Sequence, residues 1–199
     1  MKSDLRVQKT LQRIQDSFFQ CILRTPFSKI TINDITSTAL VNKTTFYAHY
    51  KDKYDLRQRL VEETLAEFRN NINLSFVNMN HEDADRYAKD VQVPLLSIFQ
   101  NREKFKLLWH SNLECDVSAQ MQLAFEKHLR MILKNRQFLH QDQMLSPKDE
   151  LFVRLFAGNA MCTIRWWLEY CPEMPLEEVA ETITACIVNG EMKTFLIEE

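Results

Sequence analysis

The chain is predicted to be all-α, with a three-helix helix-turn-helix domain over residues 1–52 and a larger helical bundle over 53–199, about nine helices in all. Three observations predict this. Apolar residues recur at helical spacing along most of the chain. Its 199 residues include only 2 glycines, Gly158 and Gly190, and 5 prolines, too few turn-formers for the turn-rich β classes. Residues 31–53, TINDITSTALVNKTTFYAHYKDK, read as two short helices around a tight turn.

The elements follow in order. Residues 4–24 place Leu5, Leu11, Ile14, Phe18, Ile22 and Leu23 at helical spacing, and this helix must end before Thr25-Pro26. Phe27 and Ile30 pack the next loop onto the domain core. Thr31 caps the second helix with Asp34 three residues on, a capping box that satisfies orphan backbone N–H groups. Ile32 and Ile35 give that helix a small apolar face, and Ala39 lets another helix cross closely. Asn42 caps the third helix. Phe46 and Tyr50 fall on one face of it, which leaves Lys43, Thr44, Tyr47 and His49 pointing outward. A helix anchored by aromatics that offers such donors suits a DNA major groove.

Beyond the third helix, residues 53–77 repeat Leu56, Leu60, Leu65, Phe68, Ile72 and Phe76, a long amphipathic rod leading from the first domain into the second. Asn78–Asp83 reads as a loop. Helices are expected over 84–100, 102–111 and 113–136, with Pro94 kinking or opening a segment. Ser146-Pro147-Lys148-Asp149 is a helix start with Ser as cap and Pro in the first turn, and that helix runs to Cys171. Pro175 opens the last one, where Glu177 and Glu178 lie near its positive dipole end.

Charge separates the two parts. Residues 1–60 carry 11 Lys and Arg against 5 Asp and Glu, a charge of +6, whereas residues 61–199 carry 14 against 22, a charge of −8. A basic head on an acidic body is the pattern of a phosphate-facing module joined to a different one. No run of about 18 apolar residues is present, so no membrane span is expected. Five scattered cysteines without a Cys-x-x-Cys pair favour reduced thiols and a cytoplasmic protein. The amino terminus lacks the apolar core of a signal peptide.

Thr31, Asp34 and Ile35, followed by Thr45-Phe46-Tyr47-Ala48-His49-Tyr50-Lys51-Asp52-Lys53, closely resemble the DNA-binding segment of TetR-type transcriptional regulators. Leu40 stands where that family most often has glycine in the turn, and Thr36 replaces a common alanine. The turn at Leu40 must therefore avoid a left-handed backbone or tolerate it at a cost of about 1–2 kcal/mol. Gly158, Trp166-Trp167-Leu-Glu and Pro175-Leu-Glu-Glu are similar to a branch of the family related to a dihydroxyacetone-kinase regulator. The resemblance, taken with the chemistry, implies DNA contacts at Thr31, Asn42, Lys43, Thr44, Thr45, Tyr47, His49 and Lys53, with Lys53 adding its charge and a helix N-terminus to a phosphate.

The same resemblance implies a homodimer through the two C-terminal helices. Phe152, Leu155, Phe156, Gly158, Ile164, Ile183, Ile187 and Phe195 are candidates for that seam or for the core beneath it. Two recognition helices on a two-fold axis would read a pseudo-palindromic operator in double-stranded DNA. It also implies a small-molecule effector bound in the body, releasing a repressor from its operator. The expected pocket walls are Phe99, Phe105, Trp109, Met121, Phe125, Met161, Trp166 and Tyr170, residue types that equally build an ordinary core.

A constitutive or metal-responsive DNA-binding regulator is the alternative. His81, His110, Glu114, Cys115 and His128 are suitable ligand types, with His110 and Glu114 at i,i+4, but they form no compact set of three or four, so no metal is expected. No cofactor is expected. An enzyme is not expected either: the chain has no Gly-rich phosphate loop, no His-Glu-x-x-His and no nucleophile motif.

Overall fold

The computed structural model describes residues 2–72, 84–136, 144–186 and 190. The expected loop over Asn78–Asp83, together with Phe76, His81, Ile187 and Phe195, lies outside them. Among the described residues there are nine α-helices and no strand: α1 (Lys2–Ile22), α2 (Ile32–Ala39), α3 (Lys43–Tyr47), α4 (Lys53–Asn71), α5 (Ala84–Gln100), α6 (Arg102–Leu108), α7 (Val117–Arg136), α8 (Pro147–Tyr170) and α9 (Leu176–Cys186). The all-α class is thus observed. Pro94 lies inside α5 rather than at its start. The helix expected over 102–111 stops at Leu108, and a short 3-10 turn, Ser111–Leu113, intervenes before α7. His110 causes the interruption, because its Nδ1 accepts the Asn112 N–H at 3.2 Å and caps the turn.

The chain divides into two compact units. The first comprises residues 1–66 and 103–117, the second residues 67–102 and 118–199. In the first unit α1 packs on α2 and α2 on α3. Ile14, Phe18 and Ile22 of α1 are fully buried, as are Ile35 and Phe46. Each such side chain contributes roughly 1.5–3 kcal/mol of burial. Leu5 and Leu23, expected on the same apolar face, are more than half exposed. Ser17 fixes the helix crossing by donating its hydroxyl to the Ile35 carbonyl at 2.6 Å in a buried bond.

Polar side chains grip the loop between α1 and α2 from two distant parts of the chain. Asn112 donates to the Ile22 carbonyl at 2.9 Å. The Glu114 carboxylate accepts the Ser28 N–H at 3.0 Å and the Ser28 hydroxyl at 2.8 Å. From α4, the Arg57 guanidinium lies 3.9 Å from the centre of the Phe27 ring and donates to the Leu113 carbonyl at 3.0 Å.

In the second unit α9 packs against α5 and α8. Its core is aromatic. Phe125 stacks on Phe156 at 5.9 Å and meets Phe68 at 6.4 Å, while Phe99 stacks on Trp167 at 5.1 Å. Arg130 joins α7 to α8 by bonding both Glu126 and Glu150 at 3.0 Å. The start of α8 is the expected capping box, with Ser146 Oγ accepting the Asp149 N–H at 3.1 Å and Pro147 in the first turn.

Candidate nucleic-acid interface

The helix-turn-helix is built from two local caps and one unusual turn. At the first cap, Thr31 Oγ1 accepts the Asp34 N–H at 3.2 Å, and Asp34 Oδ2 accepts the Thr31 N–H at 2.8 Å. These bonds hold the Asp34 carboxyl below the usual carboxylate range, the Thr31 hydroxyl contributing most. At the second cap, Asn42 Oδ1 accepts both the backbone N–H and the hydroxyl of Thr45, at 2.7 and 2.8 Å.

Leu40 forms the turn between α2 and α3. Its φ of 54° and ψ of 44° lie in the left-handed region. The Leu40 N–H bonds to the Ser37 carbonyl at 3.3 Å and the Val41 N–H to the Thr36 carbonyl at 3.0 Å. This is the paired closure of a helix end that usually carries glycine. Leucine is tolerated there because its side chain extends into solvent, 80% exposed, and Arg13 holds the Leu40 carbonyl at 3.4 Å. The strain remains, about 1–2 kcal/mol.

Phe46 on α3 is fully buried and Tyr50, three residues past its end, nearly so, their rings 5.6 Å apart. This anchor fixes the rotation of the helix. Lys43, Thr44 and Tyr47 therefore face outward, with Tyr47 55% exposed. Thr31 and Asn42 lie at the helix starts and are exposed, while Thr45 and His49 are half-buried. All of the residues expected to meet DNA except Lys53 thus lie on or beside this short segment.

Lys53 has partners within the chain. Its ammonium donates to the carbonyls of Phe27, Ser28 and Ile30 at 2.8, 3.0 and 2.7 Å. It also lies 4.7 Å from the centre of the Phe27 ring. An ammonium has three donors, and all three are occupied. The start of α4 is occupied too, because Asp52 Oδ1 accepts the N–H groups of Tyr54 and Asp55, each at 2.8 Å. A carboxylate already sits where a phosphate was expected. Lys53 is a clasp for the loop ahead of the helix-turn-helix.

The eight residues expected to wall an effector pocket divide between the two units. Phe105 and Trp109 belong to the first unit, where their rings meet at 5.7 Å, and the other six belong to the second. The buried Trp109 Nε1 has no hydrogen-bond partner among the described residues. Phe99, Phe125, Met121 and Met161 serve as core packing in the second unit. Trp166 and Tyr170 are 42% and 73% exposed on the outer side of α8, because their neighbour Trp167 takes the inward position.

The second unit instead presents two grooves that the sequence did not signal. One, about 300 Å³, runs between α8 and α9 beside Cys162 and Cys186. The other, about 520 Å³, is lined by Arg69, Ile72, Lys127, His128 and Met131. Burial pushes the His128 imidazole below its ordinary pKa. Among the described residues no three His, Cys, Asp or Glu side chains gather as a metal site, and no helix is long and apolar enough to cross a membrane.

Several solved structures share this architecture. A TetR transcriptional regulator from Streptococcus agalactiae 2603V superposes with a TM-score of 0.57 at 22% identity, covering 94% of this chain and 98% of that one. The dihydroxyacetone kinase operon activator DhaS gives 0.57 at 16% identity, over 94% and 97%. The fatty acid degradation regulator FadR from Bacillus halodurans gives 0.59 at 16%, over 91% and 95%. Among curated proteins, the HTH-type transcriptional regulator YxbF of Bacillus subtilis (strain 168), itself uncharacterized, is 29% identical over 99 residues. That match takes in 49% of this chain and 26% of YxbF, so the chain spans about a quarter of that relative's length. No family model matches the chain.

Proposed function

We propose that this chain, which has the fold of a TetR transcriptional regulator, is itself a DNA-binding transcriptional regulator that acts as a homodimer. The observation that carries the reading is α3. Its apolar anchor is buried, and its Lys43, Thr44 and Tyr47 face is free in a segment of charge +6. Residues 1–52 are the reading head and 53–199 the body that pairs and senses. Tyr47→Ala is expected to weaken binding to a random-sequence duplex and to a fragment selected from the genome alike. Because the tyrosine hydroxyl carries no charge, the slope of log affinity against log salt should stay close to that of the wild type. Wild-type protein without salt-sensitive DNA binding would remove this reading.

Pairing through α8 and α9 is supported by the outer face of α8. Leu151, Leu155, Trp166 and Tyr170 are all at least 42% exposed. At 100° per residue they fall, with Cys162 and Gly158, within a stripe of about 120°. A Cβ at Gly158 would meet no described atom within 4 Å, so a second helix has room to approach there. Phe152, Phe156 and Ile164 belong to the core beneath, being buried.

Regulation is proposed as repression relieved by an effector in the second unit's larger groove. Arg69 and Lys127 give it a cationic rim inside an otherwise acidic body, His128 adds an imidazole that burial favours in its neutral form, and Ile72 and Met131 give it apolar wall. An anion with a short apolar part fits that chemistry. Adding such carboxylates or organophosphates is expected to raise the melting temperature and release bound DNA. An Arg69→Ala, Lys127→Ala variant responding as the wild type would rule this groove out.

A further inference from the structure

A groove of about 810 Å³ in the first unit runs between α1 and the α2–α3 turn. Leu5, Arg6 and Lys9 line it from α1; Leu40 and Asn42 line it from the turn and Thr45 from α3. The groove therefore begins at the residues that cap the recognition helix. Arg6 and Lys9 are exposed and one turn apart, and neither has an ion pair among the described residues. Arg13, a further turn along, is engaged with the Leu40 carbonyl and holds the two walls together.

Two features of this groove have no use within the isolated chain. Leu5 and Leu40 are large apolar side chains that are 56% and 80% exposed. Leu40 is in addition held in a left-handed conformation that glycine would adopt without cost. Strain of this kind persists where the surroundings impose it, and it concentrates at binding sites. An apolar floor flanked by two free cations matches deoxyribose-phosphate, whose sugar faces are apolar and whose phosphates are anionic.

We propose that this groove seats the backbone of one DNA strand beside the major groove read by α3, with phosphates on Arg6 and Lys9 and a sugar face against Leu40. The inference rests on the DNA-binding reading and adds α1 to it as a clamp that sets the register without reading sequence.

The test uses the full-length protein and two duplexes of equal length, one random in sequence and one selected from the genome. Arg6→Gln combined with Lys9→Gln is expected to lower the salt slope by about 1.8 and affinity about thirtyfold at 0.15 M salt, equally on both duplexes. Leu40→Asn, a residue that accepts the left-handed turn, is expected to weaken both about threefold with its melting temperature unchanged or raised. An unchanged salt slope in a folded double variant, a loss confined to the selected duplex, or wild-type affinity in Leu40→Asn overturns the proposal. Wild-type protein with no salt-dependent binding to either duplex, by contrast, removes the DNA-binding reading itself.

Discussion

Trp166→Glu is expected to leave the chain folded but monomeric, and to lower affinity for a two-half-site operator by about a thousandfold. The side chain is 42% exposed in the isolated chain, so its replacement costs little of the core. In the proposed dimer it sits on the α8 stripe opposite its twin, and a charge there must be desolvated without a partner. Buried tryptophans at the centre of interfaces are worth about 2 kcal/mol or more each, and two copies change in a homodimer. The operator effect follows from linkage. Joining two reading heads makes the second docking event intramolecular, which raises affinity by roughly 10²–10⁴. Sedimentation equilibrium and operator binding together check this. A dimer that survives Trp166→Glu and also Gly158→Leu would place the interface elsewhere.

Lys53→Ala is expected to lower stability by about 2–3 kcal/mol while leaving the DNA affinity of the folded fraction close to the wild type. The substitution removes a charged donor from three carbonyls within the loop that leads into α2. Hydrogen bonds to charged groups contribute about 1.5–3 kcal/mol each when buried. These lie part-buried to exposed, so the sum is discounted. The attraction between the ammonium and the Phe27 ring disappears as well, roughly 0.5–1 kcal/mol at such a site. Urea denaturation measures the stability change. An unaltered midpoint would mean that the ammonium leaves these carbonyls in solution and is available to a phosphate after all.

The contrast between Lys53 and Tyr47 marks where sequence reasoning stops. Thr31 with Asp34, Asn42 with Thr45, and Phe46 with Tyr50 interact over three or four residues, so spacing alone identified the caps and the buried anchor. The position of Leu40 was equally legible as the one misfit in the turn, though only the backbone angles decided that it is tolerated. The partners of Lys53 lie 23 to 26 residues away, and Ser28 meets Glu114 across 86. No periodicity reports interactions at such separations.

Trp166 and Trp167 show the same limit on one helix. They are the same residue type, adjacent in sequence, yet Trp167 is fully buried against Phe99 and Trp166 lies outside. One residue rotates a side chain by about 100° around the helix axis. Which of the two is inward depends on where α5 lies. Composition therefore marked an aromatic helix without separating its inward tryptophan from its outward one.

What the sequence determined alone was everything encoded within a helical turn or in bulk charge: the all-α class, the nine helices described, the caps, the exposed face of α3, and a basic head on an acidic body. Tertiary structure decided which lysine is a clasp, which aromatics are core, and that Arg6, Lys9 and Leu40 share one groove with Thr45. The reason is physical. Helix formation and capping are satisfied by neighbours along the chain, whereas a groove or a clasp exists only once distant segments have been brought together.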